Sequence, residues 1–280
     1  MSSVFEGQYV GFFATLAVVR LLQSFMIIRM YYLHPQTKPA TYNILQGFFA
    51  ASALWMLSAA VVDPYHFVIA FAALAVDILV PLTKGKGNTK RYLNVYHLQE
   101  RLGLVLMLVI GESMIVVALS NSTASQVFNQ AGIVFSGLGI MIALWWLYFE
   151  YSDRHIGDRP DNLFAYLHSH GLLFGSIILL SVGYKIILDT QADLTAFWFV
   201  VAGMVGIAVS LISIRIAHKP ARLRTTLSIG SIIAVSVLVA GVGYLLEWYV
   251  ETIVFVTLVF MVTAWLDTQN ILKGARKRLS

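Results

Sequence analysis

Arg20, Asp77, Glu100, Arg101 and Glu112 all fall inside long apolar stretches of this sequence. Charges held in an apolar medium are costly and as a rule face protein or water and pair with one another. Such groups are suited to binding an ion, relaying a proton or holding helices together. Arg101 and Glu112 are eleven residues apart, which on a helix leaves them ~20° apart around the axis. His97 lies one turn before Arg101 on the same side, and Glu100 points elsewhere. The stripe His97, Arg101, Glu112 is therefore expected to face protein. By depth, two buried pairs are predicted, Arg20 with Glu112 and Asp77 with Arg101. Lys185 and Asp267 lie near span ends and can snorkel to an interface.

Histidine offers a second chemistry. His168 and His170 are ~200° apart on a helix and cannot share one metal site. Either one alone could join Glu112 or Asp77 as a relay or ligand, although a single buried histidine is more often only hydrogen-bonded. The aromatic run from Leu144 to Glu150 reads as an interfacial belt or as a stacking wall beside His168.

These residues are positioned by membrane helices. The 280 residues are 59% hydrophobic and only 12% charged, with a mean hydropathy of +0.78. A soluble domain carries about 25% charged residues, so lipid is the expected solvent. A helix needs roughly 20 apolar residues to cross the bilayer. Nine spans follow, at 8–32, 41–62, 65–82, 98–120, 127–150, 163–188, 194–216, 226–246 and 250–268. Asp63-Pro64 reads as a tight turn between the second and third. The fold class is all-α, a polytopic bundle forming a single membrane-embedded domain over 1–280.

The basic residues set the orientation. Lys38, Lys84, Lys86, Lys90, Arg91, Arg154, Arg159, Lys219, Arg222, Arg224, Lys273, Arg276, Lys277 and Arg278 follow the odd-numbered spans, and the alternate connections carry no lysine or arginine. This asymmetry marks the cytoplasmic side. It places the N-terminus outside, the C-terminus and loop 83–97 inside, and the protein in a cell membrane. The net charge of +5 is explained by these loops, so no nucleic-acid partner is expected. The start carries Glu6 and no basic residue, unlike a cleavable signal peptide.

Small residues at four-residue spacing, namely Gly132 and Ser136, Gly139 and Ala143, Gly171 and Gly175, Ala202 and Gly206, are expected where helices approach closely. They allow a homo-oligomer without requiring one. The absence of cysteine excludes thiolate chemistry. Gly85-Lys86-Gly87-Asn88 lacks the spacing and ending of a phosphate loop. Neither a zinc-protease motif nor a Gly-x-Ser-x-Gly elbow occurs, and the last span has no lysine of the rhodopsin kind. No cofactor, resident metal or enzymatic activity is expected.

The stretch His97-Leu98-Gln99-Glu100-Arg101-Leu102-Gly103-Leu104, followed by Ile110-Gly111-Glu112-Ser113, resembles the bacterial low temperature requirement A family. That family carries a Glu-Arg-Phe-Gly segment running into Leu-Gly-Glu-Ser on one helix, from which Leu102 and Ile110 are mild departures. The run 144–149 and the segment from Tyr166 through His168 to Gly175 are similar to its next landmarks. The Glu-Leu-Phe-Phe-Asp-like motif usual near the start of members has no counterpart, so the chain is expected to begin partway into the family pattern. The resemblance implies a multipass inner-membrane protein and supplies no substrate. The functional expectation is binding or translocation of a small solute, ion or proton through Arg20, Asp77, His97, Glu100, Arg101, Glu112, His168 and His170. The alternative is a structural or stress-adaptation protein whose ion pairs only fix packing.

Overall fold

A computed structural model describes residues 8–33, 38–61, 65–84, 94–118, 131–190, 194–218, 235, 238–239 and 241–279. Among them every regular element is a helix. The long ones are α1 (Gln8–Leu33), α2 (Lys38–Ala60), α3 (Tyr65–Lys84), α4 (Val95–Ala118), α5 (Ala131–Arg154), α6 (Leu163–Thr190), α7 (Leu194–His218) and α8 (Tyr249–Leu279). These bounds track eight of the nine segments expected from hydropathy. The segment 226–246 lies mostly outside the described residues, with 241–245 helical. The Asp63-Pro64 turn and the basic residues of 85–93 and 219–224 also lie outside them.

Among the described residues, five helical stretches are long and apolar enough to cross a membrane, Val10–Leu33, Val95–Ala118, Ala131–Asp153, Ala165–Asp189 and Leu194–Ala217. Leu45–Ala60, Tyr65–Val80 and Val250–Leu266 are shorter apolar helices. Large apolar side chains also cover the outer faces: Phe12, Phe25, Phe71, Leu108, Phe135 and Ile178 are all more than half exposed. A water-facing surface would be polar on that side, so this is the surface of a membrane protein.

The chain forms two compact units, Met1–Leu93 and Asn94–Ser280. In the first, α1 packs on α2 and α2 on α3. Each helix turns one stripe inward: Phe13, Ala17 and Ser24 on α1; Ala51, Ser52, Trp55 and Ser58 on α2; His66, Ala70, Ala73 and Asp77 on α3. These spacings of three and four residues are the helical period. Gly47 brings α2 close to α3, since a Cβ there would run into the Val80 side chain.

In the second unit α6 and α7 form the most extensive pair, α5 packs against α8, and α4 lies against α5 and α6. Its core includes Leu106, Ile140, Leu144, Ile177, Phe197 and Phe260. At α6–α7 the backbones nearly touch. A Cβ on Gly203 would stand 2.8 Å from Leu180 N, and one on Gly183 would stand 2.9 Å from Val200 N. Gly206 of the expected small-residue pairs also packs here, on Ser176. Gly139 likewise meets Met261, whereas Gly132, Gly171 and Gly175 have nothing within 4 Å of a Cβ, and Gly183 and Gly203 approach closely without belonging to an expected pair.

Candidate functional site

Among the described residues, the interior of the first unit holds an ion pair, besides the buried Ser24, Ser52, Ser58 and His66. Arg20 lies near the middle of α1 and Asp77 in the second half of α3, and Arg20 Nε donates to Asp77 Oδ2 at 3.0 Å. The Asp77 side chain is 3% exposed and that of Arg20 28%. Trp55, reaching from α2, donates its indole Nε1–H to the same Oδ2 at 3.0 Å. Arg20 Nη1 donates to Gln23 Oε1 at 2.6 Å, and the guanidinium lies over the Phe48 ring, 5.3 Å from its centroid. One charge pair thus draws on all three helices.

The pair is monodentate. A guanidinium and a carboxylate can form a two-pronged fork, but here both donors converge on Oδ2. Among the described residues no donor reaches the buried Oδ1. Higher on the α3 stripe is His66, fully buried, whose carbonyl accepts from Ser58 Oγ at 2.8 Å. Its ring packs on Phe67 at 4.0 Å between centroids.

The predicted pairing is corrected: within the first unit Arg20 and Asp77 pair with each other, where Glu112 and Arg101 were expected as their partners. Depth along a span cannot give the angle around it, and that angle decides which charges meet. The stripe on α4 is corrected as well. The side covered by α5 and α6 is Val95, Gln99, Gly103, Leu106, Ile110, Ser113 and Val117. Arg101 and Glu112 stand on the exposed side. His97 and Glu100 are also exposed and form a pair with each other, Nδ1 to Oε2 at 3.3 Å. Asn94 Oδ1 caps this helix by accepting from His97 N at 3.3 Å.

The polar residue that α4 does bury is Gln99. Its Nε2 donates to the carbonyls of His155 and Asp158, each at 3.2 Å, and its Oε1 accepts from Gly157 N at 2.7 Å. Gln99 thereby fixes the turn between α5 and α6, where Gly157 has a φ of +82°. Close by, His170 is fully buried. Its Nδ1 lies 2.8 Å from Tyr166 O, and a carbonyl can only accept, so Nδ1 carries the proton. Its Nε2 lies 3.0 Å from Tyr148 OH. Both ring nitrogens are thereby engaged by protein groups. His168 is half-buried. The aromatic run therefore contributes Tyr148 to His170 rather than to His168, while Trp145 and Trp146 point outward.

Two further polar groups were not singled out by the sequence. Arg215 is buried with its guanidinium 5.0 Å from the Tyr151 ring centroid. Tyr184 OH lies 3.1 Å from Ser136 Oγ and 3.1 Å from Thr257 Oγ1, bracing α5, α6 and α8. At the far end of α6, Lys185 Nζ donates to Asp189 Oδ2 at 2.7 Å.

An all-helical, lipid-facing surface around a sparse set of internally paired polar groups defines a multipass membrane protein. The family described as bacterial low temperature requirement A protein (LtrA) matches residues 1–266. The chain belongs to that family. No curated protein and no solved structure matches it.

Proposed function

We propose that this protein binds or translocates a small ion, solute or proton at the Arg20–Asp77 pair. The observation that carries this reading is the buried carboxylate oxygen Asp77 Oδ1, which no donor among the described residues reaches. A buried acceptor left without a donor costs about 1–3 kcal/mol, more when charged. A pair serving only to join helices would be expected to use both oxygens. The mobile acid is thus Asp77, in place of the Glu112 favoured by depth along the chain. The protein is read as spanning the bacterial inner membrane nine times, N-terminus outside and C-terminus cytoplasmic, on the alternation of basic residues. No catalytic step, cofactor or nucleic-acid partner enters this reading.

A structural role is the second reading. It is favoured by the way the pair ties α1 to α3, since breaking a buried pair is destabilising whether or not anything moves through it. The discriminating experiment uses full-length protein in liposomes with a trapped pH dye. An imposed pH gradient should drive a proton flux that Asp77→Asn abolishes while the variant still melts cooperatively. Vesicles that stay tight to protons and common ions would leave the structural role. Orientation is tested on the cysteine-free chain. Cysteines at Asn88 and Ser280 should resist an impermeant maleimide added to intact cells, and one at Asn121 should react.

A further inference from the structure

The leftover valences of the Arg20–Asp77 pair match one another. On the acid, Oδ2 takes two donors and Oδ1 takes none among the described residues. On the base, Nε serves Asp77 and Nη1 serves Gln23, while no described residue of the first unit accepts from Nη2. Arg20 is also the partner that is partly open, its side chain 28% exposed against 3% for Asp77. An unused carboxylate oxygen, Oδ1, and an unused guanidinium nitrogen, Nη2, therefore remain on a pair that is neutral as a whole.

Charge decides what can use them. A proton taken alone onto Oδ1 would leave a net positive charge among apolar helices, and an anion taken alone on Nη2 would leave a net negative one. Both are unfavourable in a low-dielectric interior. A proton and a monovalent anion arriving together leave the site neutral. The charged and titratable surroundings do not alter this count. From α1, Arg20 faces Asp77, while Arg29 is on the exposed side. From α2, Trp55 faces it, and that helix has no charged residue after Lys38. On α3 itself the stripe carries His66, eleven residues earlier and roughly 16 Å away along the axis.

We propose that the Arg20–Asp77 site loads a monovalent oxyanion together with one proton, the anion on Arg20 Nη2 and the proton on Asp77 Oδ1. The Asp77 carboxylate becomes a carboxylic acid, no other bond changes, and Arg20 stays charged. This rests on the reading of the pair as a binding site and names what it takes.

The experiment is calorimetric titration of the purified full chain with sodium methanesulfonate, which stays anionic throughout, in two buffers of different ionisation heat. The buffer difference should report one proton taken up per anion bound. Affinity should fall about tenfold for each rise of one pH unit wherever one proton is taken up per anion bound. Arg20→Gln should abolish binding. Asp77→Asn, which imitates the protonated acid, should bind the anion with no proton uptake and no pH dependence. Sodium sulfate, carrying two charges, should bind far more weakly. The wild-type pH series alone decides the matter if either variant fails to fold. Absence of methanesulfonate binding, or binding without proton uptake, would overturn the proposal. A proton flux in vesicles that needs no anion would do the same while leaving the site itself in place, whereas absence of both flux and binding removes both readings.

Discussion

Gln99 on α4 holds Gly157 in the turn between α5 and α6, its Oε1 accepting from Gly157 N at 2.7 Å while its Nε2 serves two carbonyls of the same turn. One buried carboxamide therefore satisfies three backbone groups that have left helical geometry. Gln99→Leu should destabilise the protein by at least about 1–3 kcal/mol, the cost of a single orphaned buried group. Gln99→Glu should also be destabilising, because a carboxylate cannot donate to the carbonyls of His155 and Asp158. Thermal melting in detergent measures both. A Gln99→Leu variant that melts like wild type would show that the turn finds other partners.

Arg20 and Asp77 should be energetically coupled, and Arg20 and Glu112 should not. Asp77→Asn alone leaves the guanidinium without its counter-charge. A fully dry pair would lose about 3–5 kcal/mol, and partial exposure of Arg20 places the expected loss toward or below the lower end. Arg20→Met with Asp77→Asn should recover much of it. Arg20→Met with Glu112→Gln should be additive within about 0.5 kcal/mol, as for sites that share no partner. Coupling in the second cycle and additivity in the first would reverse the pairing.

What was legible in the sequence follows from what hydropathy encodes. Helix positions depend on length and apolar content, so Leu163–Thr190 and Leu194–His218 lie close to the expected 163–188 and 194–216. Helix rotation depends on which face is inward, and a helix that is apolar all round carries little record of it. Glu112 and Ile110 are ~200° apart on α4, and the sequence alone did not say that Ile110 faces the core. Arg20 and Asp77 were recognised as candidates because a charge in an apolar segment stands out. Gln99, Arg215 and Tyr184 were not. An amide, an arginine near a span end and a tyrosine are each ordinary in a membrane helix until their partners are known.

The same limit governs the glycines. Four-residue spacing pointed to Gly171 and Gly175, yet a Cβ at either meets nothing within 4 Å, whereas one at Gly203 falls 2.8 Å from the Leu180 backbone nitrogen. Backbone cannot move aside as a flexible side chain can. Gly203→Ala should force α6 and α7 apart and cost about 1–3 kcal/mol, the usual penalty of overpacking. Gly171→Ala should be neutral or slightly stabilising, since alanine is the better helix former by about 1 kcal/mol. Detergent melting of the two variants side by side checks the contrast. Equal losses would mean that the Gly171 face is packed as tightly as the α6–α7 seam.

Glu247 occupies a position that favours glycine. The helical segment 241–245 ends with Trp248 N donating to Gly243 O at 2.9 Å and Glu247 N approaching Tyr244 O at 3.4 Å. These are the two closing bonds of a Schellman cap, in which the residue after the helix adopts a left-handed conformation. Glu247 does so with a φ of 59°. A residue with a Cβ pays roughly 1–2 kcal/mol there, against the 0.5–1 kcal/mol that glycine's extra freedom costs on folding. Glu247→Gly should therefore stabilise the protein by about 0.5–1 kcal/mol. A rival cause is the acidic charge beside the negative end of a helix dipole, itself worth about 0.3–1 kcal/mol. Glu247→Gln removes the charge and keeps the Cβ, so it separates the two. If backbone conformation dominates, the melting temperature rises for Gly and stays near wild type for Gln. Equal rises for both would assign the effect to charge, and a fall for Gly would mean that the glutamate side chain makes a stabilising contact outweighing its conformation.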